Sequence, residues 1–525
     1  MTSAKKCALV SVYDKKGLNI LAKSLIDSDY TILSTGGTRS YLDENGIKSL
    51  DISEYTGQKE LFSGRLKTLH PKVFGGILYD RKDPTHQDEK NNSDFLTIDL
   101  VVVNFYPFEK EAVEKKLSPS DAIHFIDIGG PSLLRAAAKN WQYCLSIIDP
   151  KDYEDVIEQI KKPTIDNDFS IKLATKVFQK VSQYDTLIAN YFGSQTKDSS
   201  VSNPLPDSIN LQLQKKRTLK YGENPHQIAA VYEPMSASSC KLQFSQHQGQ
   251  DLSYNNYLDL ESGIQLIRDL NPNPSLVILK HTNPCGVSYR KSNVIELFNQ
   301  AFESDPISAF GGIIITNQEI DGETAQHISK TFFECIASPS FTSEALEIFK
   351  KKKRLRILTV ADLNKKPATT ISQSLKSSLD HYLVQTSPFG VIPMSEWKTV
   401  SEKKTPFEKK EELLFAMTVA KHLKSNAIVI SKEGRTIGLG AGQMSRIDAC
   451  QIAIDKAKKN AAGIDGSVMA SDAFFPFRDC LDLAAQNGIC AVVQPGGSKK
   501  DSDSIAACNE HRISMEFSNY RYFKH

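Results

Sequence analysis

The run DLVVVNF, residues 99–105, sets four consecutive aliphatic side chains between the polar residues Asp99 and Asn104. An unbroken apolar run of this length is typical of a strand that is buried on both faces, as in a parallel sheet with helices on either side. The run therefore predicts a central strand of an α/β fold. Asn104 would emerge at the carboxyl end of that strand, where α/β sheets bind their ligands.

Shorter β-prone runs surround this strand, at residues 7–12, 31–33 and 144–148. After the first run, leucines at 18, 21 and 25 recur at helical spacing, and residues 38–45 are expected to form a short helix. An amphipathic pattern over residues 171–192 predicts a long helix after the last strand. This alternation predicts a doubly wound, mostly parallel sheet for the first part of the chain.

A stretch rich in Ser, Asn and Pro at residues 193–207 lacks periodicity and predicts a domain boundary. We therefore expect one domain at residues 1–199 and a second α/β region at 200–525. The clearest apolar strands of the second region lie at 275–279, 312–315, 427–430 and 489–493. Because two fall in residues 200–370 and two in 371–525, two subdomains are expected there.

The charge and cysteine patterns exclude several classes of protein. The 525 residues carry 64 basic and 62 acidic side chains, a formal charge of +2, which does not favour nucleic acid or an anionic membrane as a partner. No apolar run is long enough to span a bilayer and no secretory pattern opens the sequence, so a cytoplasmic location is expected. The nine cysteines include no C-x-x-C pair, which disfavours a zinc or disulfide framework, and no bound metal is expected.

Four polar segments of the first domain point to a phosphorylated ligand. The loop STGGT at 34–38 follows a strand and opens a helix, so its backbone N–H groups can approach an anion. A second loop, IDIGGP at 126–131, precedes a predicted helix over 132–140 on which Arg135 and Lys139 share a face. The other segments are GRLKTLHPK at 64–72 and NFYPF at 104–108. Each alone also fits an ordinary turn or a solvated loop, but together they favour a phosphate-bearing small molecule.

These segments, with others further along, resemble the motifs of one enzyme family. In the first part of the chain they are SVYDK (11–15), STGGT (34–38), GRLKTLHPKVFGGIL (64–78), NFYPF (104–108) and IDIGGPSLLRAAAKN (126–140). In the second part they are YGENPHQ (221–227), DLSYNN (251–256), LKHTNPCG (279–286), DPISAFGGI (305–313), GAGQMSR (440–446), SDAFFPFRD (471–479) and QPGGS (494–498). The chain resembles the bifunctional purine biosynthesis proteins, which join a formyltransferase to an IMP cyclohydrolase.

The resemblance implies a fold and a set of ligands. It implies a methylglyoxal synthase-like first domain and a cytidine deaminase-like second region that is duplicated. The second region would transfer a formyl group from 10-formyltetrahydrofolate to 5-aminoimidazole-4-carboxamide ribonucleotide (AICAR), giving formyl-AICAR (FAICAR) and tetrahydrofolate. The first domain would then cyclise FAICAR to IMP with loss of water. The resemblance implies no tightly bound cofactor, and a homodimer with the formyltransferase sites at the subunit interface.

The resemblance also implies roles for individual residues. For cyclisation, the catalytic groups would be Lys67, Tyr106, Asp127 and Lys139. The ribonucleotide would be held by Ser11, Lys15, Ser34, Thr35, Gly36, Gly37, Arg65 and Thr68, with Asn104 added from its place at the strand end. For formyl transfer, the catalytic pair would be Lys280 and His281. That site would be lined by Lys220, Tyr221, His226, Gly311, Glu334, Asn426, Arg446, Phe474, Asp479, Gly496, Gly497 and Arg521.

The chemistry sets conditions on these residues. Lys280 would stabilise the oxyanion that forms at the formyl group, and His281 would take the proton from the attacking amine. Adjacent residues on a strand point to opposite faces, so both can serve one site only if the backbone leaves regular geometry, which the turn residues Asn283-Pro284 favour. In cyclisation, Asp127 would accept a proton and Lys139 would be the main proton carrier.

The sequence suggests two other functions, and it differs from the family's usual motif at one residue. A zinc deaminase is excluded because Cys285 is followed by Gly286, Val287 and Ser288, which leaves no second cysteine at C-x-x-C spacing. The alternative function is a sugar-phosphate lyase-like first domain fused to a non-catalytic, nucleotide-binding module. Lys220 stands where the family usually has arginine, which loses a bidentate contact to phosphate unless Arg217 assists.

Overall fold

The computed structural model describes residues 6–62, 65–93, 95–195, 205–234, 244–361, 363–364, 373–386 and 390–525. The chain divides into two compact units. Unit 1 is Met1–Ser202 with Ser208–Gln212, and unit 2 is Asn203–Asp207 with Leu213–His525. Most of the predicted boundary loop, residues 196–204, lies outside the described ranges, as does Gly64 of the GRLKTLHPK motif.

Unit 1 contains one five-stranded sheet in the order β3-β2-β1-β4-β5, with every pairing parallel. Its strands are β1 (Lys6–Val12), β2 (Tyr30–Ser34), β3 (Leu50–Asp51), β4 (Leu100–Asn104) and β5 (Leu145–Ile147). Its helices are α1 (Leu18–Asp27), α2 (Gly36–Glu44), α3 (Ile52–Thr56), α4 (Pro71–Leu78), α5 (Pro84–Asn92), α6 (Pro119–Ala122), α7 (Gly129–Lys139), α8 (Tyr153–Ile160) and α9 (Asn167–Gln195).

Helices cover both faces of this sheet. Leu9 of β1 and Val101 of β4 pack with α7 and α9 on one face, whereas Val10 and Val102 pack with α1 and α8 on the other. The prediction of a parallel α/β sheet is therefore confirmed. The DLVVVNF strand is β4, which lies inside the sheet between β1 and β5 and is buried, as predicted. An apolar run reports burial on both faces, not the place of a strand in the order.

Two helices of unit 1 begin earlier than predicted. Helix α2 begins at Gly36 and α7 begins at Gly129, so each includes the glycines that were expected to precede it. Pro131 therefore occupies the third position of α7, within its first turn. A proline is tolerated there because the N–H groups of the first turn have no partner within the helix.

Unit 2 is built around a twelve-stranded sheet in the order β16-β21-β20-β19-β17-β18-β10-β9-β11-β12-β13-β8, with β6–β7 and β14–β15 as separate hairpins. The strands are β6 (Leu213–Leu219), β7 (Ala229–Pro234), β8 (Phe244–Gln248), β9 (Ser275–Lys280), β10 (Asn283–Tyr289), β11 (Ile313–Thr316), β12 (Cys335–Ser338), β13 (Arg356–Val360), β14 (Gln373–Ser378), β15 (His381–Thr386), β16 (Lys398–Thr399), β17 (Ile428–Lys432), β18 (Arg435–Gly440), β19 (Val468–Ser471), β20 (Ala491–Gln494) and β21 (Ser514–Phe517). The helices are α10 (Tyr254–Leu270), α11 (Val294–Ser304), α12 (Pro306–Ala309), α13 (Gly322–Ile328), α14 (Ser343–Lys350), α15 (Phe407–Lys421), α16 (Arg446–Lys459), α17 (Asp479–Gln486) and α18 (Asp501–Glu510).

The large sheet has the same pairing pattern on either side of its middle. On one side of the middle, the pairs β10–β9 and β9–β11 are antiparallel, β11–β12 and β12–β13 are parallel, and β13–β8 is antiparallel. On the other side, the pairs β18–β17 and β17–β19 are antiparallel, β19–β20 and β20–β21 are parallel, and β21–β16 is antiparallel. The two sets of strands meet at the antiparallel pair β10–β18.

Two further features concern the described residues as a whole. None of their helices combines the length and the apolar character needed to cross a bilayer. All eight described cysteines are free thiols, and seven of them are buried. Cys240 lies outside the described residues.

Candidate active sites

The predicted ligand-binding segments of unit 1 meet at one edge of its sheet. Because all the strands are parallel, β1, β2 and β4 deliver residues 11–15, 34–37 and 104–106 to the same edge. The Oγ of Ser11 lies 2.8 Å from Oγ1 of Thr35, which ties the first two segments together. This edge is the carboxyl end of the strands, where the sequence predicts the ligand.

The loop at residues 34–37 forms a floor at this edge, with backbone N–H groups placed as in anion-binding loops. Thr35 is the N-cap of α2 in an extended conformation, and the helix begins at Gly36. The first N–H groups of a helix have no partner within it, so the amides of Gly36 and Gly37 face outward at the positive end of the helix dipole. Ser34 is fully buried instead, and its Oγ donates to the carbonyl oxygen of Val10 at 3.2 Å. Ser34 therefore stabilises the loop from its buried side.

The segment 65–68 connects this floor to the second glycine loop. A Cβ atom at Gly36 would lie 2.9 Å from Nζ of Lys67, so the ammonium group lies against the floor. A Cβ atom at Gly129 would lie 2.8 Å from Oγ1 of Thr68. Lys67 Nζ also donates to Oε2 of Glu60 at 2.8 Å, a partner that the sequence does not predict. Lys67 and Thr68 thus join two glycine loops into one cationic pocket.

Asp127 is a partly buried carboxylate in the second glycine loop, beside Thr68. Its Oδ1 accepts a hydrogen bond from the N–H of Gly130 at 2.9 Å. Its own N–H donates to the hydroxyl of Tyr184 at 2.8 Å, which fixes the loop from α9. Burial raises the pKa of the Asp127 carboxyl above its usual value, although the hydrogen bond from Gly130 opposes this shift. A carboxylate with a raised pKa is a stronger base, which suits proton transfer.

Of the other predicted residues at this edge, Asn104 and Lys15 bond to the backbone around the end of β1, whereas Tyr106 is half exposed. Asn104 Oδ1 accepts from the N–H groups of Tyr13 and Asp14 at 2.6 and 2.9 Å, so this side chain holds the loop after β1. Lys15 Nζ donates to the carbonyl oxygens of Val12 and Tyr13, and burial lowers the pKa of Lys15. The ring of Tyr106 is half exposed, with its centroid 5.3 Å from that of Tyr13.

The structure does not bring Lys139 to this pocket within one chain. Asp127 lies just before the first turn of α7, and Lys139 is the last residue of that helix. A helix rises about 1.5 Å per residue, so the length of α7 separates its two ends by about 15 Å. Lys139 is exposed there, as is Arg135, whose guanidinium carbon lies 5.6 Å from the ring centroid of Phe178.

Arg65 is the exposed residue two positions before the partly buried Lys67. One of its guanidinium nitrogens, Nη2, is 3.1 Å from Nδ1 of His124. His124 therefore lies beside the cationic pocket, although no motif in the sequence singles it out. Its position shortly before the IDIGGP loop is the only local signal.

In unit 2, the predicted catalytic pair lies at a two-residue hairpin turn. Lys280 ends β9 and pairs with Asn283, which begins β10, so only His281 and Thr282 connect the strands. Both connecting residues have positive φ angles, 54° and 63°, as in the type I′ turns that join tight hairpins. The predicted departure from regular geometry is confirmed, but it occurs at His281-Thr282; Asn283 and Pro284 belong to β10. Lys280 Nζ donates to the carbonyl oxygen of Phe310 at 3.1 Å.

The first half of α10 holds three parts of this edge. Asn255 Nδ2 donates to the carbonyl oxygen of Glu223 at 3.4 Å, beside Tyr221 and His226 in the loop after β6. The buried Asn256 donates from Nδ2 to Oε2 of Glu334 at 3.1 Å. Oδ1 of Asp259 accepts from the N–H of Thr282 at 2.6 Å. The DLSYNN motif therefore positions predicted binding residues from a helix.

A second cluster surrounds the loop before β17. Oδ1 of Asn283 accepts from the N–H of Lys424 at 2.9 Å, which links the hairpin to this loop. Arg446 donates from Nη2 to Oδ1 of Asn426 at 2.7 Å and from Nη1 to Oδ1 of Asp472 at 2.6 Å. Arg446 is buried, so its guanidinium is bound within the protein. Asp472, which lies in the SDAFFPFRD motif, is a partner that sequence reasoning missed.

The other predicted residues follow the same edge but spread widely along it. Phe474 and Asp479 follow β19, Gly496 and Gly497 follow β20, and Arg521 follows β21, whereas Gly311 and Glu334 precede β11 and β12. β20 is third and β12 is tenth in the sheet order, which is seven strand spacings. Neighbouring strands lie about 4.8 Å apart, so the sheet separates Gly496 from Glu334 by about 34 Å. One small ligand cannot contact both within one chain.

The structure gives the surroundings of Lys220 and of Arg217, the residue that was expected to assist it. Arg217 Nη1 lies 3.5 Å from Oδ1 of Asp251, so it has an acidic partner of its own. Lys220 Nζ lies 5.9 Å from the ring centroid of Tyr221, the next residue along the chain. Lys220 is exposed and keeps a point charge at this place.

Other potential sites do not coincide with these clusters. Among the described residues, no group of three or more His, Cys, Asp or Glu side chains is arranged to hold a metal ion. A cavity of about 430 Å³ between α8 and α9, lined by Asp152, Phe169 and Lys176 among others, contains none of the predicted site residues.

Comparisons with known proteins agree with the motifs in both units. A family model described as AICARFT/IMPCHase bienzyme matches residues 137–456, and a model described as MGS-like domain matches residues 17–132. The bifunctional purine biosynthesis protein PurH of Acetivibrio thermocellus is 43% identical over 523 residues, covering 99% of this chain and 100% of that protein. PurH proteins of Bacillus cereus and Bacillus anthracis are each 42% identical with the same coverage.

The chain therefore belongs to the family of bifunctional purine biosynthesis proteins, the AICARFT/IMPCHase bienzymes. It is a multifunctional enzyme of purine biosynthesis with AICAR formyltransferase and IMP cyclohydrolase activities. The crystal structure of ForH matches 36% of this chain and 97% of its own, with 30% identity. Its TM-score of 0.33 is too low to argue a shared arrangement.

Proposed function

We propose that unit 1 performs the cyclisation and unit 2 the formyl transfer, each at the sheet edge described above. The observation that carries this division is that each edge has its own reactive groups. Unit 1 has the Asp127 carboxylate in its second glycine loop, and the Lys67 ammonium against the first glycine loop, where the amides of Gly36 and Gly37 begin a helix. Unit 2 has Lys280 and His281 at the two-residue turn between β9 and β10.

For formyl transfer, we propose 10-formyltetrahydrofolate as the co-substrate and Lys280 and His281 as the catalytic pair. The 5-amino group of AICAR is a weak nucleophile because its lone pair is delocalised into the imidazole and the carboxamide. Its attack on the formyl carbon develops charge on the formyl oxygen, which the ammonium of Lys280 stabilises. His281 accepts the proton that the amine becomes able to release. Collapse of the tetrahedral intermediate then breaks the bond to the folate nitrogen, which receives the proton from His281, and releases tetrahydrofolate.

For cyclisation, the carboxamide nitrogen of FAICAR attacks the new formyl carbon, so the substrate itself supplies proximity. Asp127 accepts the amide proton, and its raised pKa supports this role because a stronger base transfers the proton more readily. Lys67, which lies against Gly36, can polarise the formyl oxygen. That oxygen then leaves as water, which carries one proton from the carboxamide nitrogen and one from the formamide nitrogen, and the ring of IMP is closed. We assign the amide proton to Asp127 in preference to Lys139, because the length of α7 separates them by about 15 Å.

We also propose that the formyltransferase site is built from two copies of the chain in a homodimer. The residues that precede β11 and β12 and those that follow β19 to β21 belong to one sheet edge, yet span far more than the length of a nucleotide. A second copy that lays its own edge against the first would bring the two sets together. A two-fold arrangement of this kind contacts the same surface on both partners.

Three finer features complete the proposal. Unit 2 is a duplicated, cytidine deaminase-like region, which the matching pairing patterns on either side of β10–β18 support. Lys220, in place of the family's usual arginine, holds the AICAR phosphate by a single point charge. A cytoplasmic location is in keeping with the free cysteines.

The division of labour is tested with one variant in each unit. His281→Ala is expected to stop formylation of AICAR while leaving cyclisation of supplied FAICAR unchanged, and Asp127→Asn is expected to do the reverse. A single substitution that abolishes both activities in a folded protein would contradict the two-site assignment. Sedimentation equilibrium should give twice the 58.4 kDa chain mass if the homodimer forms.

A further inference from the structure

The turn that carries His281 is conformationally costly. His281 and Thr282 have φ angles of 54° and 63°, in the left-handed region that side chains with a Cβ atom rarely adopt. Thr282 is β-branched, which makes this conformation still less favourable, and the residues usually found in such a turn are Asn and Gly. The surrounding structure must therefore hold the turn in place.

Side chains of helix α10 bind both the N–H and the carbonyl oxygen of Thr282. Oδ1 of Asp259 accepts from the N–H of Thr282 at 2.6 Å, and the N–H of His281 also donates to this carboxylate. Three residues further along the helix, Ser262 Oγ donates to the carbonyl oxygen of Thr282 at 2.7 Å. Residues three apart lie on the same face of a helix, so both contacts come from one surface. Lys524 Nζ in turn donates to Ser262 Oγ at 2.9 Å.

We propose that Asp259 is a positioning residue for formyl transfer, which fixes the left-handed turn and thereby the direction of the His281 side chain. Successive N–H groups in such a turn converge on one point and form a concave anion site, which the Asp259 carboxylate fills. The proposal rests on the catalytic role of His281 proposed above. Asp259 acts on the substrate only through that histidine.

The test uses the full chain, in which cyclisation of FAICAR serves as an internal control for folding. Asp259→Ala is expected to lower the kcat of formyl transfer by about 10- to 100-fold, since a small misplacement of a catalytic group has effects of that size. The KM for AICAR and the cyclisation rate should not change. Asp259→Asn, which keeps one acceptor oxygen, should lose less. Glu261→Ala, which removes an exposed carboxylate on the same helix, should leave both activities at wild-type levels.

Rescue by glycine separates positioning from other roles. Glycine adopts positive φ without steric cost, so Thr282→Gly should restore most of the formyl transfer lost in Asp259→Ala. The proposal is overturned if Asp259→Ala retains full formyl transfer, or if the double variant is no more active than Asp259→Ala. His281→Ala tests the proposed catalytic role of His281 separately. If this variant retains formyl transfer, that role is wrong, whatever the result for the Asp259 variants.

Discussion

The guanidinium of Arg446 and the carboxylate of Asp472 form an ion pair inside unit 2, with Nη1 2.6 Å from Oδ1 and side-chain exposures of 5% and 0%. The same nitrogen of Arg446 donates to Ser471 Oγ at 2.7 Å, and Nη2 donates to Asn426. This arginine therefore fastens the loop before β17 to the end of β19. It supports the proposed binding edge from within.

Breaking that pair should destabilise unit 2 strongly. Arg446→Ala leaves the Asp472 carboxylate buried without its partner, which costs about 3–5 kcal/mol in comparable buried pairs. Urea unfolding should report this loss, whereas the exposed Lys353→Ala should leave the unfolding midpoint unchanged. If Arg446→Ala unfolds like the wild type but binds AICAR poorly, the arginine contacts the ligand and our structural interpretation is wrong.

Gly286 of β10 should not tolerate a side chain. A Cβ atom there would lie 1.8 Å from the carbonyl oxygen of Ala301 in α11, and backbone atoms cannot move away cheaply. Gly286→Ala should cost about 1–3 kcal/mol or more through overpacking. Gly193→Ala in α9, where nothing lies within 4 Å of the new Cβ, should stabilise its helix by about 1 kcal/mol. Equal unfolding midpoints for the two variants would contradict this packing.

The raised pKa of Asp127 predicts a pH dependence of cyclisation. Asp127 must be ionised to accept a proton, and burial raises its pKa, so activity should fall on acidification at a higher pH than an ordinary aspartate would give. The pH profile of kcat/KM for FAICAR cyclisation measures this acid limb. A profile that stays flat down to the ordinary aspartate range would argue against Asp127 as the base.

The raised pKa of Asp127 also predicts that the stability of the protein, unlike its cyclisation activity, falls as the pH rises. The native state keeps the Asp127 proton to higher pH than the unfolded state, so the ionised group lowers the free energy of unfolding as pH rises through the raised pKa. Asp127→Asn should therefore melt at a higher temperature than the wild type at neutral pH. The Tm difference should disappear below the ordinary aspartate pKa.

The lysine at position 220 should weaken phosphate binding compared with arginine. Lys220→Arg restores a planar fork with two donors, and one additional charged hydrogen bond of about 1 kcal/mol would lower the KM for AICAR about fivefold. Initial-rate kinetics of formyl transfer would measure this change, and cyclisation should not respond. An unchanged KM for AICAR would remove Lys220 from the proposed phosphate site.

The sequence predicts what depends on local pattern. The apolar runs identify β1, β4, β9 and β17 because burial on both faces requires continuous aliphatic residues. The glycine loops are recognisable because glycine adopts backbone conformations that other residues rarely adopt, such as the positive φ of 31° at Gly36. Asp127 and Lys139 were expected to serve one site, whereas the structure separates them by the length of α7, a distance that follows from helical rise.

Other features depend on contacts between distant parts of the chain. Glu60 and His124 show no pattern of their own, and their roles depend on how the segment 65–68 folds back against the glycine loops. The left-handed turn at His281-Thr282 contradicts local preference, because Asp259 and Ser262 hold it from α10. Tertiary contacts of this kind are not visible in a single sequence.

The most direct test of two independent sites is a mixture of two single-site variants. Asp127→Asn and His281→Ala should each fail to make IMP from AICAR and 10-formyltetrahydrofolate. Mixed in equal amounts, they should make IMP, because FAICAR formed at one variant's formyltransferase site can be cyclised by the other variant. A mixture that accumulates FAICAR without IMP, or forms neither, would contradict the assignment of the two activities to separate units.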